Sequence, residues 1–146
     1  MIVIRVADGN DFESWSKMRT ILWPNSTAQE HLSEIQEFIR RDSFRAWMAF
    51  DGIKNVGFSE ASIRPFANGC DSRPVVFLEG VWIEESYRNQ GIGRKLVEAV
   101  QLWALNKGIF EIGSDAEISN FQSHICHKKW GFEEMERVIY YRKKLP

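Results

Sequence analysis

The run Val81-Trp82-Ile83-Glu84-Glu85-Ser86-Tyr87-Arg88-Asn89-Gln90-Gly91-Ile92-Gly93 passes from a strand-like pattern into a glycine loop, and that loop opens a helix-like pattern. Gly91 and Gly93 carry no Cβ, so backbone N–H groups there can come close to a bulky anion. The first turn of the following helix adds N–H groups without intrahelical partners and the positive end of its dipole. Arg88, Arg94 and Lys95 contribute formal positive charge. These types at this spacing describe a cradle for a diphosphate. Gly-Lys-Ser/Thr is absent, which excludes a Walker loop, and the third glycine of a dinucleotide fingerprint is missing. Two glycines alone fit an ordinary capped turn equally well, so the loop acquires meaning only with its surroundings.

Glu79 lies in Val75-Val-Phe-Leu-Glu-Gly-Val-Trp-Ile83, and strand alternation places it on the face of Val75, Phe77, Val81 and Ile83. A carboxylate buried in an apolar row without partners costs on the order of several kcal/mol. Glu79 therefore either sits at a solvated edge or faces a cleft and binds a cation. Gly80 weakens a strand interior and marks a bulge or a close backbone approach. Asp115 follows a short apolar run and precedes a helix, as a turn residue would. Glu136 belongs to the acidic run Glu133-Glu134-Met135-Glu136, which by itself reads as a solvated face. Brought to one cleft, these carboxylates would focus a negative field that draws a polycation. Trp23, followed by Pro24-Asn25-Ser26, reads as an aromatic exposed in a loop, where its face can pack on a sugar ring or a cation. His31, His124 and His127 share no metal-ligand spacing; His31 and His124 are expected at the surface and His127 on a helix. Cys70 and Cys126 are too few for a disulfide framework and also lack metal spacing, so no metal site is expected. Cys126 is expected to be buried without a nucleophilic role.

The elements that must position these residues follow from periodicity. Residues 1–6 alternate as a first strand. Phe12, Trp15, Met18 and Leu22 recur at helical spacing up to Pro24. Thr27 and Glu30 form a capping-box pattern ahead of a second helix carrying Leu32, Ile35, Phe38 and Ile39. Residues 46–50 and 56–63 flank Asp51-Gly52 as an antiparallel hairpin. Residues 65–74 read as a loop and 75–83 as the strongest strand. Ile92, Leu96, Ala99, Val100 and Trp103 mark an amphipathic helix closed by Lys107-Gly108. Residues 110–113 form a short strand, Ser119 and Gln122 open a helix ending near Gly131, and residues 138–142 form a last strand. This order predicts one α/β domain over residues 1–146, a mixed, mostly antiparallel sheet flanked by about four helices.

Composition sets the outer limits. The 146 residues carry 19 basic and 20 acidic side chains, a net charge of -1, which gives no footprint for a nucleic-acid partner. Apolar runs of about five residues fall far short of a membrane span. With no charged-then-apolar leader and few cysteines, the expected setting is the cytoplasm.

On the glycine loop, the chain resembles the GNAT acetyltransferase superfamily, whose Arg/Gln-x-x-Gly-x-Gly/Ala signature is matched by Arg88-x-x-Gly91-x-Gly93. Asn120, Ser123, His127, Gly131 and Phe132 sit where a second block of that superfamily lies, with His127 in place of its frequent tyrosine acid. The resemblance extends to the bacterial aminoglycoside 6'-N-acetyltransferases through Leu22-Trp23-Pro24, Glu60-Ala-Ser-Ile-Arg64, Asn68-Gly-Cys-Asp-Ser, Pro74-Val-Val-Phe-Leu-Glu-Gly80, Ser114-Asp115, Gly131-Phe-Glu-Glu-Met-Glu136 and Tyr140-Tyr-Arg-Lys. It implies acetyl-CoA as co-substrate, held by Val81, Trp82, Ile83, Arg88, Asn89, Gln90, Gly91, Ile92, Gly93 and Asn120. It implies an aminoglycoside bound by Trp23, Glu79, Asp115 and Glu136, with Phe66 near the position of a family tyrosine. Glu79 is the expected base and Asp115 the second candidate. A homodimer is implied as well. The alternatives are acetylation of a polyamine or a peptide amine, or a non-catalytic acyl-CoA-binding regulator.

Overall fold

The computed structural model describes residues 1–146. Its backbone contacts divide it into Met1–Asp115 and Ala116–Pro146. In the first unit, strands β1 (Ile2–Val6), β2 (Phe44–Asp51), β3 (Lys54–Arg64), β4 (Val75–Ile83) and β5 (Ile112–Ser114) form one sheet in that order. Neighbours are antiparallel through β4, and β4 pairs with β5 in parallel. A parallel pair requires a crossover, and helix α3 (Ile92–Asn106) supplies it. Helices α1 (Phe12–Leu22) and α2 (Ala28–Phe38) precede β2. Thr27 caps α2, accepting from the Glu30 N–H while the Glu30 side chain accepts from the Thr27 N–H. The fold class matches the α/β mixed sheet expected from periodicity.

Two cores cover the two faces of the sheet. On one face, Trp15 and Met18 of α1 and Ile35 of α2 pack with Phe44, Ala46, Met48 and Phe58. On the other, α3 buries Leu96, Val97, Val100 and Trp103, with Trp103 edge-on to Trp47 at 5.8 Å. Ser59 Oγ donates to the Leu96 carbonyl at 3.4 Å and ties the helix to β3.

The decisive irregularity lies in β4. Leu78 pairs with Ala61 and Gly80 with Glu60, so Glu79 has no opposite on β3. This bulge is the one Gly80 announces. It also corrects the face assignment made from simple alternation. Glu79 stays on the side of Val75 and Phe77, but Val81 and Ile83 cross to the opposite face, because an extra residue reverses the parity of everything beyond it.

In the second unit, helix α4 (Phe121–Lys129) is capped by Asn120, whose side chain accepts from the Ser123 N–H at 3.2 Å. The start expected at Ser119 lies one residue early. Cys126 is half-buried, not buried. No strand forms over residues 138–142. The segment has strand-forming residues, but a strand exists only through its ladder, and no strand of this chain pairs with it. Val138, Ile139, Tyr140, Tyr141 and Leu145 are exposed.

Candidate active site

Strand β4 and the loop after it build one half of the site. Parallel pairing with β5 spans only Val76, Leu78 and the residue between, ending with Leu78 beside Ser114. Beyond that rung the outer edge of β4 is open. The Glu84 N–H donates to the Val56 carbonyl at 2.8 Å, so alternation turns the N–H and C=O of Ile83 and Val81 to the open edge. Trp82 turns its backbone to β3 and packs its ring against the α1/α2 core, so its part is to hold the edge in place.

The chain then makes a 3-10 turn over Glu85–Tyr87 and reaches Arg88, whose Nε donates to the Ile83 carbonyl at 2.8 Å. Tyr87 donates to Asp51 at 2.9 Å and Lys54 pairs with Glu84 at 2.8 Å, which moors the loop to the β2–β3 hairpin. Asn89 has φ 62° and Gly91 φ 81°, so the backbone curls just before α3. Gln90 Nε2 braces the curl on the Ser86 carbonyl at 3.3 Å. No side chain caps α3. The N–H groups of Ile92 and Gly93 therefore point out of the helix without an intrahelical acceptor. A Cβ on Gly91 would meet nothing within 4 Å, so space in front of the turn is open. Ile92 is 1% exposed and anchors this end of the helix in the core. The arrangement suits an anion with several oxygens, and a chain of amides could continue along the β4 edge.

The other half lies on the α1/α2 side of the sheet. Trp23, Glu34, Glu60, Ser62 and Glu79 line a cavity of about 480 Å³. Glu79 Oε1 accepts from Ser62 Oγ at 2.5 Å and from Arg64 Nη2 at 2.8 Å and Nε at 3.1 Å. Its Oε2 accepts only from Arg64 Nη2, at 2.9 Å, and keeps lone-pair capacity for a ligand. Arg64 lies over the Phe77 ring at 3.6 Å, so the carboxylate is held by a cation that is itself packed. Trp23 ends α1 and seats against Gly80. A Cβ there would lie 2.5 Å from Trp23 Cζ2 and 2.7 Å from Cη2.

Beneath Trp23 lies a buried ionic cluster that sequence reasoning missed. Glu60 is 2% exposed and accepts from Arg19 Nη1 at 2.7 and 2.8 Å and from Trp15 Nε1 at 2.7 Å. Burial pushes the Glu60 carboxyl up to about 7, against the pull of Arg19 and Trp15. His31, expected at the surface, is 2% exposed; both ring nitrogens are satisfied inside, by Arg19 Nε at 3.1 Å and the Trp23 carbonyl at 2.9 Å. The available signal was an acidic residue in the apolar alternation of residues 56–61, an expensive placement unless paired.

Asp115 and Phe66 lie in the first unit outside the lining of this cavity. Asp115 is exposed just past β5, leaving the last paired rung in the same direction as Glu79. Phe66 is 57% exposed on the loop after β3, with the Arg73 guanidinium 5.5 Å from its ring. Neither lines the cavity. Within the second unit Asn120 caps α4, Glu136 is exposed, and His127 Nδ1 lies 2.8 Å from the Ser123 carbonyl. No group of three or more His, Cys, Asp or Glu side chains is placed to hold a metal.

With this geometry in hand, likeness to other proteins is specific. The model of the acetyltransferase (GNAT) family matches residues 12–132. The aminoglycoside N(6')-acetyltransferase type 1 of Salmonella enteritidis is 43% identical over 143 residues, covering 97% of this chain and 98% of that protein. The structure of AAC(6')-Iy in complex with the bisubstrate analogue CoA-S-monomethyl-acetylneamine superposes with a TM-score of 0.94 at 40% identity, covering 99% of each chain. That of AAC(6')-Ih from Acinetobacter baumannii gives 0.94 at 33% identity over 100% of each chain.

The seat of Trp23 is testable by crowding it. Gly80→Ala should force the indole off the strand and destabilise the protein by about 1–3 kcal/mol. Thermal denaturation with near-ultraviolet circular dichroism reads both effects; an unchanged spectrum and midpoint would mean that Trp23 does not pack on Gly80.

Proposed function

Because the chain belongs to the GNAT acetyltransferase family and groups with its aminoglycoside 6'-N-acetyltransferases, we propose that it transfers acetyl from acetyl-CoA to the 6'-amino group of aminoglycoside antibiotics and so confers resistance. The observation that carries this reading is that one strand, β4, bears both an open amide edge leading to the N-terminus of α3 and a braced carboxylate facing a cavity. We read residues 1–146 as one catalytic domain, a reading supported by a family match that runs over residues 12–132 and so includes parts of both units.

When bound, acetyl-CoA supplies an activated acyl group as a thioester. Its pyrophosphate would be held at the turn of Arg88, Asn89, Gln90, Gly91, Ile92 and Gly93, where N–H groups of the first turn point outward and the space in front of Gly91 is open. The amides of its arm fit the outward backbone groups of Val81 and Ile83, with the Ile83 carbonyl already taken by Arg88. Asn120 joins the cofactor side by resemblance. The N–H groups at this edge are also placed to donate to an acyl oxygen as charge develops on it.

The acceptor amine is mostly protonated near neutral pH and attacks only when neutral. Glu79 binds the ammonium through Oε2 and takes its proton, directly or through water. Ser62 and Arg64 hold the other oxygen, so the carboxylate is oriented before the substrate arrives. Trp23 offers a face for a sugar ring, and the resemblance assigns Asp115 as a second carboxylate, with Phe66 and Glu136 as further drug contacts beyond the cavity lining. The protein acts in the cytoplasm, where acetyl-CoA is made, and as a homodimer. The exposed side chains of Val138, Ile139, Tyr140 and Tyr141, which join no sheet of their own chain, favour that assembly.

Release of CoA thiol in the presence of tobramycin, followed by mapping of the acetylated nitrogen, tests the activity; transfer to spermidine or peptides alone would replace it with the polyamine or peptide reading. Glu79→Gln should lower kcat by about 10²-fold or more while acetyl-CoA affinity holds; wild-type turnover across the pH profile would remove Glu79 as base. Gly91→Val strains a left-handed position and fills the open approach, so acetyl-CoA should bind about tenfold or more weaker in a folded protein. Equal affinity would refute the cradle. Sedimentation equilibrium should give twice the chain mass, and a monomer would contradict the homodimer.

A further inference from the structure

The mechanism above leaves unused the buried cluster under Trp23. Arg19 is 3% exposed, and its guanidinium spends each nitrogen on a different element or residue: Nη1 on Glu60 of β3, Nη2 on Glu34 of α2 at 2.9 Å, and Nε on His31 of α2 at 3.1 Å. An arginine N–H can only donate, so Nδ1 of His31 is the accepting nitrogen and its Nε2–H donates to the Trp23 carbonyl. The Trp23 N–H returns to the Arg19 carbonyl at 2.7 Å. The Arg19 guanidinium lies 4.9 Å from the Trp23 ring centre, and the His31 ring stacks on the same indole at 6.4 Å. Trp23 is thus held at its backbone on both sides and over its ring by one cluster, with Gly80 closing the far edge.

Such a cluster is a poor way to gain stability, because well-packed apolar residues of similar volume usually serve as well or better. What it supplies is geometry. Only a planar fork can bind three partners in fixed directions. Two of the residues it places, Trp23 and Glu34, are walls of the cavity that also holds Glu79, and Arg19, His31 and Glu60 reach the same cavity themselves though each is 3% exposed or less. We propose that Arg19, Glu60 and His31 are positioning residues for the acceptor pocket: they lock the Trp23 ring against Gly80 and hold Glu34 at the cavity wall, and so set the affinity for the amine substrate without touching the acetyl donor. This rests on the reading of that cavity as the acceptor site.

Arg19→Lys keeps the charge opposite Glu60 but cannot serve His31 and Glu34 together. It should raise the acceptor KM about tenfold or more with the acetyl-CoA KM within about twofold. His31→Phe keeps a ring against Trp23 but removes the hydrogen bonds, and should move the same parameter in the same direction. Protein labelled with 5-fluorotryptophan provides a second readout, the Trp23 resonance being assigned by its loss in Trp23→Phe. In both variants that line should shift or broaden. A shifted Trp23 line together with a selective rise in acceptor KM supports the proposal. An unmoved line in a folded variant, or KM values for both substrates rising together, overturns it. Should Arg19→Lys fail to fold, His31→Phe decides the question. Should the unmutated protein acetylate no aminoglycoside, the proposed activity fails, while the fluorine spectrum still reports whether the cluster positions Trp23.

Discussion

One unpaired residue in β4 organises the first unit. Because Glu79 has no opposite on β3, the strand gains a residue between the Leu78 and Gly80 rungs. Its carboxylate remains on the α1/α2 face beside Ser62 and Arg64, while the side chains beyond it exchange faces. Past the same point β4 loses β5 and keeps an open edge that leads into the turn before α3. What the extra residue changes is the parity beyond it, which turns Val81 and Ile83 away from the face of Glu79. The open edge and the braced carboxylate thus lie within a few residues of each other on one strand.

Gly80 is the second half of that device. The absence of a Cβ lets the Trp23 indole rest on the strand itself, where any other side chain would collide with it. The indole in turn covers an ion cluster in which Arg19, His31 and Glu60 are almost wholly removed from water. Every nitrogen of Arg19 and both oxygens of Glu60 have partners, which is the condition under which buried charges are tolerable. Net charge is near zero for the whole chain, yet Glu34, Glu60 and Glu79 line one cavity with Arg19 and Arg64 beside them. The field a substrate meets is therefore set locally, by which lone pairs remain unspent, rather than by the overall balance.

Much of this was readable before any coordinates. The strand over Val75–Ile83, the hairpin at Asp51-Gly52, the capping box at Thr27 and the glycine turn before α3 each depend on residues close in the chain. The bulge was announced by Gly80, though its effect on the facing of Val81 and Ile83 was not, since parity depends on where the partner strand skips. The last strand, over residues 138–142, shows the opposite failure. Its composition is right, but strand propensity describes how a residue suits a pleated sheet and supplies no neighbour.

Local spacing thus determined most of the elements, the glycine turn before α3 and the residue types available for chemistry, because turn geometry, helix capping and alternation are properties of a few consecutive residues. Only the tertiary structure decided which charges meet. Arg19, His31 and Glu60 come from two helices and a strand, and nothing in the chain between them encodes that they share one guanidinium. Likewise Glu79 could be read as a carboxylate in an apolar row, but its brace of Ser62 and Arg64, and the one oxygen left open, follow from the register of β3 against β4. Long-range pairing selects partners by packing the whole sheet and its helices at once, and that selection leaves no mark at the scale of a motif.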